Sequence, residues 1–242
     1  MITPVEMKTR ERADESRAAL SALVGALHEY KYALMDELYG AHRAKGVLSG
    51  GWRSARLGDL LAGSDDPLWG KAEIPGDGKA VTVITPASVD SLRFLPDACV
   101  TAKVGDADRV KYSAAGADIV MAGKGARAGA CAIMPVFFEG GVVSPDCLRL
   151  RAVPERIEPF YCANVLHYLY RRGDLERVKH GDAIDAALLL QLEIAYPPPD
   201  AQKKIAGDML NLSALIVKAL DAAANVDAVC EGLCAAPVPE RT

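Results

Sequence analysis

At 242 residues, half of them hydrophobic and a quarter charged, the chain can bury a sizeable core and is neither disordered nor low-complexity. No uninterrupted apolar run approaches the ~18–20 residues of a membrane span. The charged opening, Met1–Ser16, lacks the apolar centre of a signal peptide, so a cytoplasmic protein is expected. The net charge of −4 gives no overall pull toward nucleic acid.

From Pro4 to Tyr39 there is no internal proline and one glycine, Gly25. Glu6 to Arg17 is charged enough to predict an exposed helical arm. Leu20, Leu23, Leu27, Tyr30, Leu34 and Leu38 then recur at spacings of three and four, a heptad seam, with Gly40 as a C′ stop. A linker from Ala41 to Ser49 follows. The alternation from Trp52 to Leu57 predicts a short strand running into a turn at Gly58-Asp59. Asp65 to Lys79 reads as loop, and the β-branched run from Ala80 to Thr85 as a strand. Val89 to Phe94 fits a helical turn or a strand.

Arg109 to Ser113 alternates as a strand does. Ala117 to Ala122 predicts a strand entering a glycine-punctuated loop or hairpin, Gly123 to Gly129. Ala130 to Pro135 with Phe137-Phe138 predicts another strand, Gly140-Gly141 a turn, and Val142-Val143 and Cys147 to Ala152 further extended segments. Pro159 to Tyr170 opens on proline and carries apolar residues at helical spacing. Leu190, Leu192 and Ile194 alternate into Pro197, Pro198 and Pro199, which a helix tolerates only in its first turn. Beyond Asp200, Ile205, Met209, Leu212, Ile216, Ala219, Ala223, Val226, Cys230 and Leu233 form a seam of about four heptads, which wants a partner helix.

The expected fold is α+β. One mixed α/β domain of short strands (47–196) is flanked by a long coiled-coil-like helix on each side (1–46 and 197–242). Pairing the two helices, within the chain or across a dimer, satisfies both seams.

The six cysteines show no C-x-x-C pairing, and Cys230 and Cys234 have no histidine near them in sequence, so thiols rather than a metal site are expected. The loop GKGARAG lacks the Lys-Ser/Thr of a phosphate loop, and its third glycine falls one residue late for a dinucleotide fingerprint. The four histidines form no metal or catalytic constellation, and G-x-S-x-G is absent. No Asn/Asp/Ser-Pro-Pro-aromatic methyltransferase tetrapeptide occurs. These exclusions favour a binding protein. From Lys103 to His180 there are twelve Lys/Arg against nine Asp/Glu, a surplus of three that permits a basic face.

Three phrases in order carry a family resemblance. They are Gly51-Trp52 followed by Leu57-Gly58-Asp59, then ADIVMAGKGARAG (117–129), then Pro198-Pro199-Asp200-Ala201-Gln202-Lys203-Lys204-Ile205-Ala206 ahead of the long helix. Their order and spacing resemble the specificity subunits of type I restriction-modification systems, over about four fifths of the chain. Ala201 stands where that family often has Glu, and Ala122 where it usually has Ser. Gly181-Asp182 replaces a Gly-Ser-like turn. Whole subunits of that family carry two recognition domains, and this chain looks like the second half of one, either a half-subunit that dimerises or a single-domain homologue serving another methyltransferase or defence complex.

The resemblance implies a non-catalytic, half-length subunit with a single target-recognition domain, acting as a dimer on a bipartite site of double-stranded DNA. The implied partners are methyltransferase (modification) subunits, which would supply S-adenosylmethionine, and a restriction/translocase subunit. This chain would hold no cofactor and no metal, and no membrane is implied. Cations in loops flanking the strands, Lys111, Lys124, Arg127, Arg171, Arg172, Lys179 and His180, are the expected DNA contacts. Leu20, Leu23, Leu27, Leu34, Leu38, Ile205, Met209, Leu212 and Ile216 are the expected partner or dimer contacts. From Pro199 to Val226 a straight helix spans about 42 Å, a ruler of roughly twelve base-pair steps. A coiled-coil adaptor whose α/β domain binds protein is the alternative.

Overall fold

The structure, a computed structural model, describes residues 4–40, 42, 50–62, 70, 78–136, 138 and 141–235. In chain order they form α1 (Pro4–Met35), β1 (Arg53–Arg56), α2 (Leu57–Leu60), β2 (Lys79–Ile84), β3 (Val89–Asp90), β4 (Arg93–Phe94), β5 (Val100–Val104) and α3 (Asp106–Lys111). There follow β6 (Ser113–Ala114), β7 (Ile119–Ala122), β8 (Cys131–Ile133), β9 (Gly141–Val143), β10 (Cys147–Leu150) and α4 (Pro159–Arg171). The chain continues through β11 (Lys179–His180), β12 (Ala183–Ile184), α5 (Ala186–Leu190), β13 (Glu193–Tyr196) and α6 (Pro199–Ala235).

Compactness divides the chain into two units, Met1–Leu34 with Gly207–Thr242, and Met35–Ala206. The second unit therefore reaches into both long helices, beyond the expected limits of 47 and 196.

In the helical unit α1 and α6 run antiparallel. Arg17 Nε lies 3.1 Å from Asp227 Oδ1, and Lys31 Nζ donates to Ser213 Oγ at 2.8 Å. As residue numbers climb on one helix they fall equally on the other, as antiparallel pairing requires. On α6 the expected seam is the inward one: Met209, Ile216 and Ala219 are buried, and Leu212, Ala223 and Val226 are half-buried. The side chains of Cys230 and Leu233 lie outside the described residues.

On α1 the seam is shifted. Leu20, Leu27 and Leu34 lie half-buried, but Leu23 and Tyr30 are exposed, and half-buried Val24 and buried Lys31 take their places. Apolarity alone favoured Leu23 over Val24 and excluded Lys31. A lysine stem nevertheless packs well when its ammonium finds an acceptor, as Lys31 does in Ser213.

The second unit is built on two sheets. A four-stranded sheet, β5-β2-β9-β6, is antiparallel except for the parallel β2–β9 pair. A three-stranded sheet, β10-β7-β8, is antiparallel throughout. Ile84, Val120, Ala132, Met134, Val143 and Cys147 form the shared core, with Phe94 set edge-on to Phe138 at 5.0 Å. The alternation read in Cys147 to Ala152 does not mark an exposed face: all of β7 and β10 is buried, Arg149 included. Burial pushes the Cys147 thiol up to about 12.

Four expectations are corrected. Arg109 to Ser113 is not a strand: Asp106–Lys111 is helical, with Asp106 and Asp108 in its first turn, and only Ser113 enters β6. Charge placement at the helix start outweighs a five-residue alternation. Gly58-Asp59 is no turn but the interior of α2, where an added Cβ on Gly58 would sit 3.3 Å from the Leu190 carbonyl oxygen. Gly40 ends a π-helical turn, Asp36–Gly40, and has no left-handed φ. It is glycine because a Cβ there would stand 2.7 Å from the Tyr168 hydroxyl. Phe138 belongs to no strand; Phe137, Gly140, linker residues 43–49 and most of the loop 65–79 lie outside the described residues. Val89 to Phe94, which fitted two readings, is a hairpin.

Candidate nucleic-acid interface

The glycine-rich loop leaves β7 and returns as β8. Ala128 N–H donates to Gly125 O (2.9 Å) and Gly129 N–H to Ala122 O (2.8 Å). Gly129 has φ +99°, and a Cβ would meet the Tyr170 ring at 3.0 Å, so both backbone and space demand glycine. The loop docks on the β11–β12 hairpin. Gly125 N–H donates to Asp182 O (2.9 Å), Ile184 N–H donates to Gly123 O (2.8 Å), and Lys124 bridges Ala183. Lys124, Lys179 and His180, expected as separate contacts, thereby share one surface.

Arg127 leaves the same loop in another direction. Its guanidinium donates to the Val89 carbonyl and to Asp90 Oδ1 (3.1 Å), bracing the β3–β4 hairpin. Arg171 and Arg172 lie at the end of α4. Arg172 contacts Asp36 (3.1 Å) and Asp174 (3.2 Å) and the Tyr168 hydroxyl (3.0 Å). Lys111 ends α3 beside the edge strand β6, with its ammonium 5.4 Å from the Tyr112 ring centroid, and is not part of the loop cluster.

Most expected DNA-binding cations are thus already paired. Lys124 meets Asp146 at 2.9 Å, Arg127 meets Asp90 at 3.1 Å, and Lys179 meets Glu176 at 2.6 Å. The Lys124 and Asp146 side chains are each about half exposed, so theirs is a surface pair of small worth, whereas Lys179 is largely covered and Arg127 also donates to the Val89 carbonyl. Asp146 and Glu176 were already counted in the surplus of three read from sequence; Asp90 and Asp36, paired with Arg127 and Arg172, are the carboxylates the fold adds from outside that span. Sequence reasoning missed Arg93, which stands opposite Asp90 in the β3–β4 pair and has no ion pair among the described residues. Its only sequence signal was a cation inside a segment of undecided structure.

The three sequence phrases do structural work. In the first, Trp52 stacks on His42 with centroids 4.0 Å apart, and Leu57 is fully buried. In the second, Asp118, 2% exposed, accepts two hydrogen bonds from Arg151 and one from Ala115 N–H, all at 2.8 Å. In the third, Gln202 Oε1 accepts from Glu158 N–H (2.8 Å) while its Nε2 donates to Pro197 O (2.9 Å), tying the start of α6 to the start of α4. Glu158 is itself the N-cap of α4, accepting from Tyr161 N–H at 2.6 Å, and burial raises its pKa above the ordinary glutamate value. Among the described residues no group of three His, Cys, Asp or Glu is placed to hold a metal.

No family model matches the sequence, and neither does any curated protein sequence. Solved structures do. A chain of a type I R-M system, described for its complex assembly and conformational transition, aligns at TM-score 0.63 and 18% identity, covering 94% of this chain and 55% of that one. The HsdS subunit of Thermoanaerobacter tengcongensis aligns at 0.61 and 18%, covering 94% and 53%. The type I restriction-modification S subunit of M. genitalium aligns at 0.63 and 12%, covering 98% and 61%. The fold is that of a type I specificity subunit. This chain spans little more than half the length of such a subunit, and almost all of it takes part in the match. At identities of 12–18%, the three phrases fit this fold as packing anchors, since Leu57, Asp118 and Gln202 are all buried.

Proposed function

We propose that this chain is the non-catalytic DNA sequence-recognition subunit of a type I restriction-modification methyltransferase complex, acting in the cytoplasm. The observation that carries the reading is the match of 94–98% of the chain to HsdS-type structures. The α/β unit would read a few base pairs of duplex DNA. Because the chain spans about half of those subunits, two copies would supply two recognition units for a palindromic bipartite site. Modification subunits, bringing S-adenosylmethionine, would dock on the outer faces of the long helices. Leu23, Tyr30, Leu210, Leu215 and Val217 are exposed there. A restriction/translocase subunit would complete the assembly.

Co-expression with an adenine methyltransferase subunit of a type I system, followed by genome-wide mapping of methylated adenine, tests the reading. One bipartite palindromic motif is expected, lost when this chain is omitted. Methylation without a motif, or independent of this chain, overturns it. Light-scattering mass of the assembled complex should give two copies of this chain.

A second reading is a coiled-coil adaptor whose α/β unit binds protein. The pairing of Lys124, Arg127 and Lys179 with neighbouring carboxylates favours it. A salt-dependent shift of duplex DNA by the complex, abolished when Met35–Ala206 is replaced by a flexible linker, separates the two.

A further inference from the structure

Β-hairpin β3–β4 closes through Ser91 and Leu92, with Val89 opposite Phe94 and Asp90 opposite Arg93. Both loop residues have positive φ, 46° and 69°. That is the signature of a type I′ turn, which ordinarily uses Asn-Gly or a similar pair because side chains resist the left-handed region. Ser-Leu is a poor choice for such a turn, so the surrounding structure must impose it.

The imposing contacts are visible. Val89 is fully buried, Leu92 N–H donates to Cys131 O (2.9 Å), and Leu95 N–H donates to Ser88 O (2.9 Å). Arg127 reaches across from the glycine-rich loop to the Val89 carbonyl and to Asp90 Oδ1, the oxygen that also accepts from Ser91 Oγ (3.3 Å). The clamp therefore acts on the strand that enters the turn. Arg93 leaves the turn half-exposed, with its guanidinium uncommitted among the described residues. A guanidinium so placed on a turn of fixed shape is suited to bidentate reading of guanine O6 and N7. Lys124, about half exposed on the neighbouring loop, would meet a phosphate instead.

We infer that the Ser91–Arg93 turn is a base-reading element, that Arg93 is its specificity-determining residue, and that Arg127 is a positioning residue holding its shape. This rests on the DNA-recognition reading above. It reassigns Arg127, whose guanidinium is engaged by the Val89 carbonyl and Asp90.

The test uses the complex assembled with its methyltransferase subunit, reading the methylated motif and, separately, the salt dependence of non-specific duplex binding. R93K keeps the charge and removes the fork. It should relax preference at one base pair per half-site by about tenfold or more, with the salt slope unchanged. R127Q should relax the same position, again with the slope unchanged because no phosphate contact is lost. Adding S91N and L92G, which suit a type I′ turn unaided, should restore the motif to R127Q. A motif left intact by R93K overturns the inference. So does an R127Q complex that loses a unit of salt slope, or one that the Asn-Gly turn fails to rescue. A wild-type complex with no sequence motif would instead defeat the DNA-recognition reading itself.

Discussion

Asp118 offers the sharpest test of how the α/β unit is held together. Its carboxylate is 2% exposed and accepts two hydrogen bonds from Arg151 and one from Ala115 N–H, each 2.8 Å long. The latter fixes a turn in which Ala117, a non-glycine residue, has φ 66°. Asp118→Ala removes all three bonds at once. Breaking a buried pair from one side costs about 3–5 kcal/mol. Because the Arg151 side chain is 38% exposed and can rehydrate, the lower end applies, about 3 kcal/mol. With a urea slope near 3 kcal/mol per molar, the unfolding midpoint should fall by about 1 M. Urea titration followed by far-ultraviolet circular dichroism reads this directly. R151A should cost a comparable amount, since it strands a buried carboxylate, and the D118A/R151A double variant should cost less than the sum. A midpoint shift below about 0.3 M for D118A would refute the reasoning.

Lys31→Met should leave the helical unit as stable or raise it by about 1 kcal/mol, because an apolar residue replaces a buried ammonium bound to Ser213. It should also loosen register, broadening the distance distribution between spin labels at positions 17 and 227; a sharp distribution with lowered stability would contradict this. Glu158 has a raised folded pKa, so it binds its proton more tightly folded than unfolded. Its contribution is therefore full below the ordinary glutamate pKa and lost as pH rises through the raised one. The stability of E158Q relative to wild type should accordingly climb through that window and then level off, as denaturation midpoints from pH 4 to 8 would show. Cys147 and Cys162 are buried thiols pushed upward by burial, Cys147 to about 12, whereas Cys99 is half-buried. Peptide mapping after brief alkylation at pH 8 should find Cys99 modified well before either.

Long-period patterns were legible and short ones were not. The α6 seam, Met209 through Val226, survives intact because a heptad repeat over that length admits one apolar face. The α1 seam slipped by one residue at Leu23 and Tyr30 because Leu23 and Val24 are both apolar, and because a buried Lys31 is invisible to a hydrophobic count. Strands β2 and β7 were readable as β-branched or apolar runs, and β10 as an alternating segment. The six-residue segment 106–111 was not, since a short alternation and a short helix offer similar patterns and only the acidic first turn tells them apart.

The ion pairs at the candidate site were illegible in the sequence for a different reason. Counting cations treats each as solvated, but a fold brings partners together that are far apart in the chain. Arg127 and Asp90 are 37 residues apart and Lys124 and Asp146 are 22 apart, so neither pair could be found by local reading. The consequence is physical. Where cations arrive already neutralised, transferring them to phosphate gains only the difference between two ion pairs, so long-range attraction to DNA is weak. A surface of this kind discriminates through the few groups left uncommitted and held in fixed geometry. In the reading proposed above that role would fall to Arg93, whose place on a tight hairpin could not be read from its neighbours in the chain.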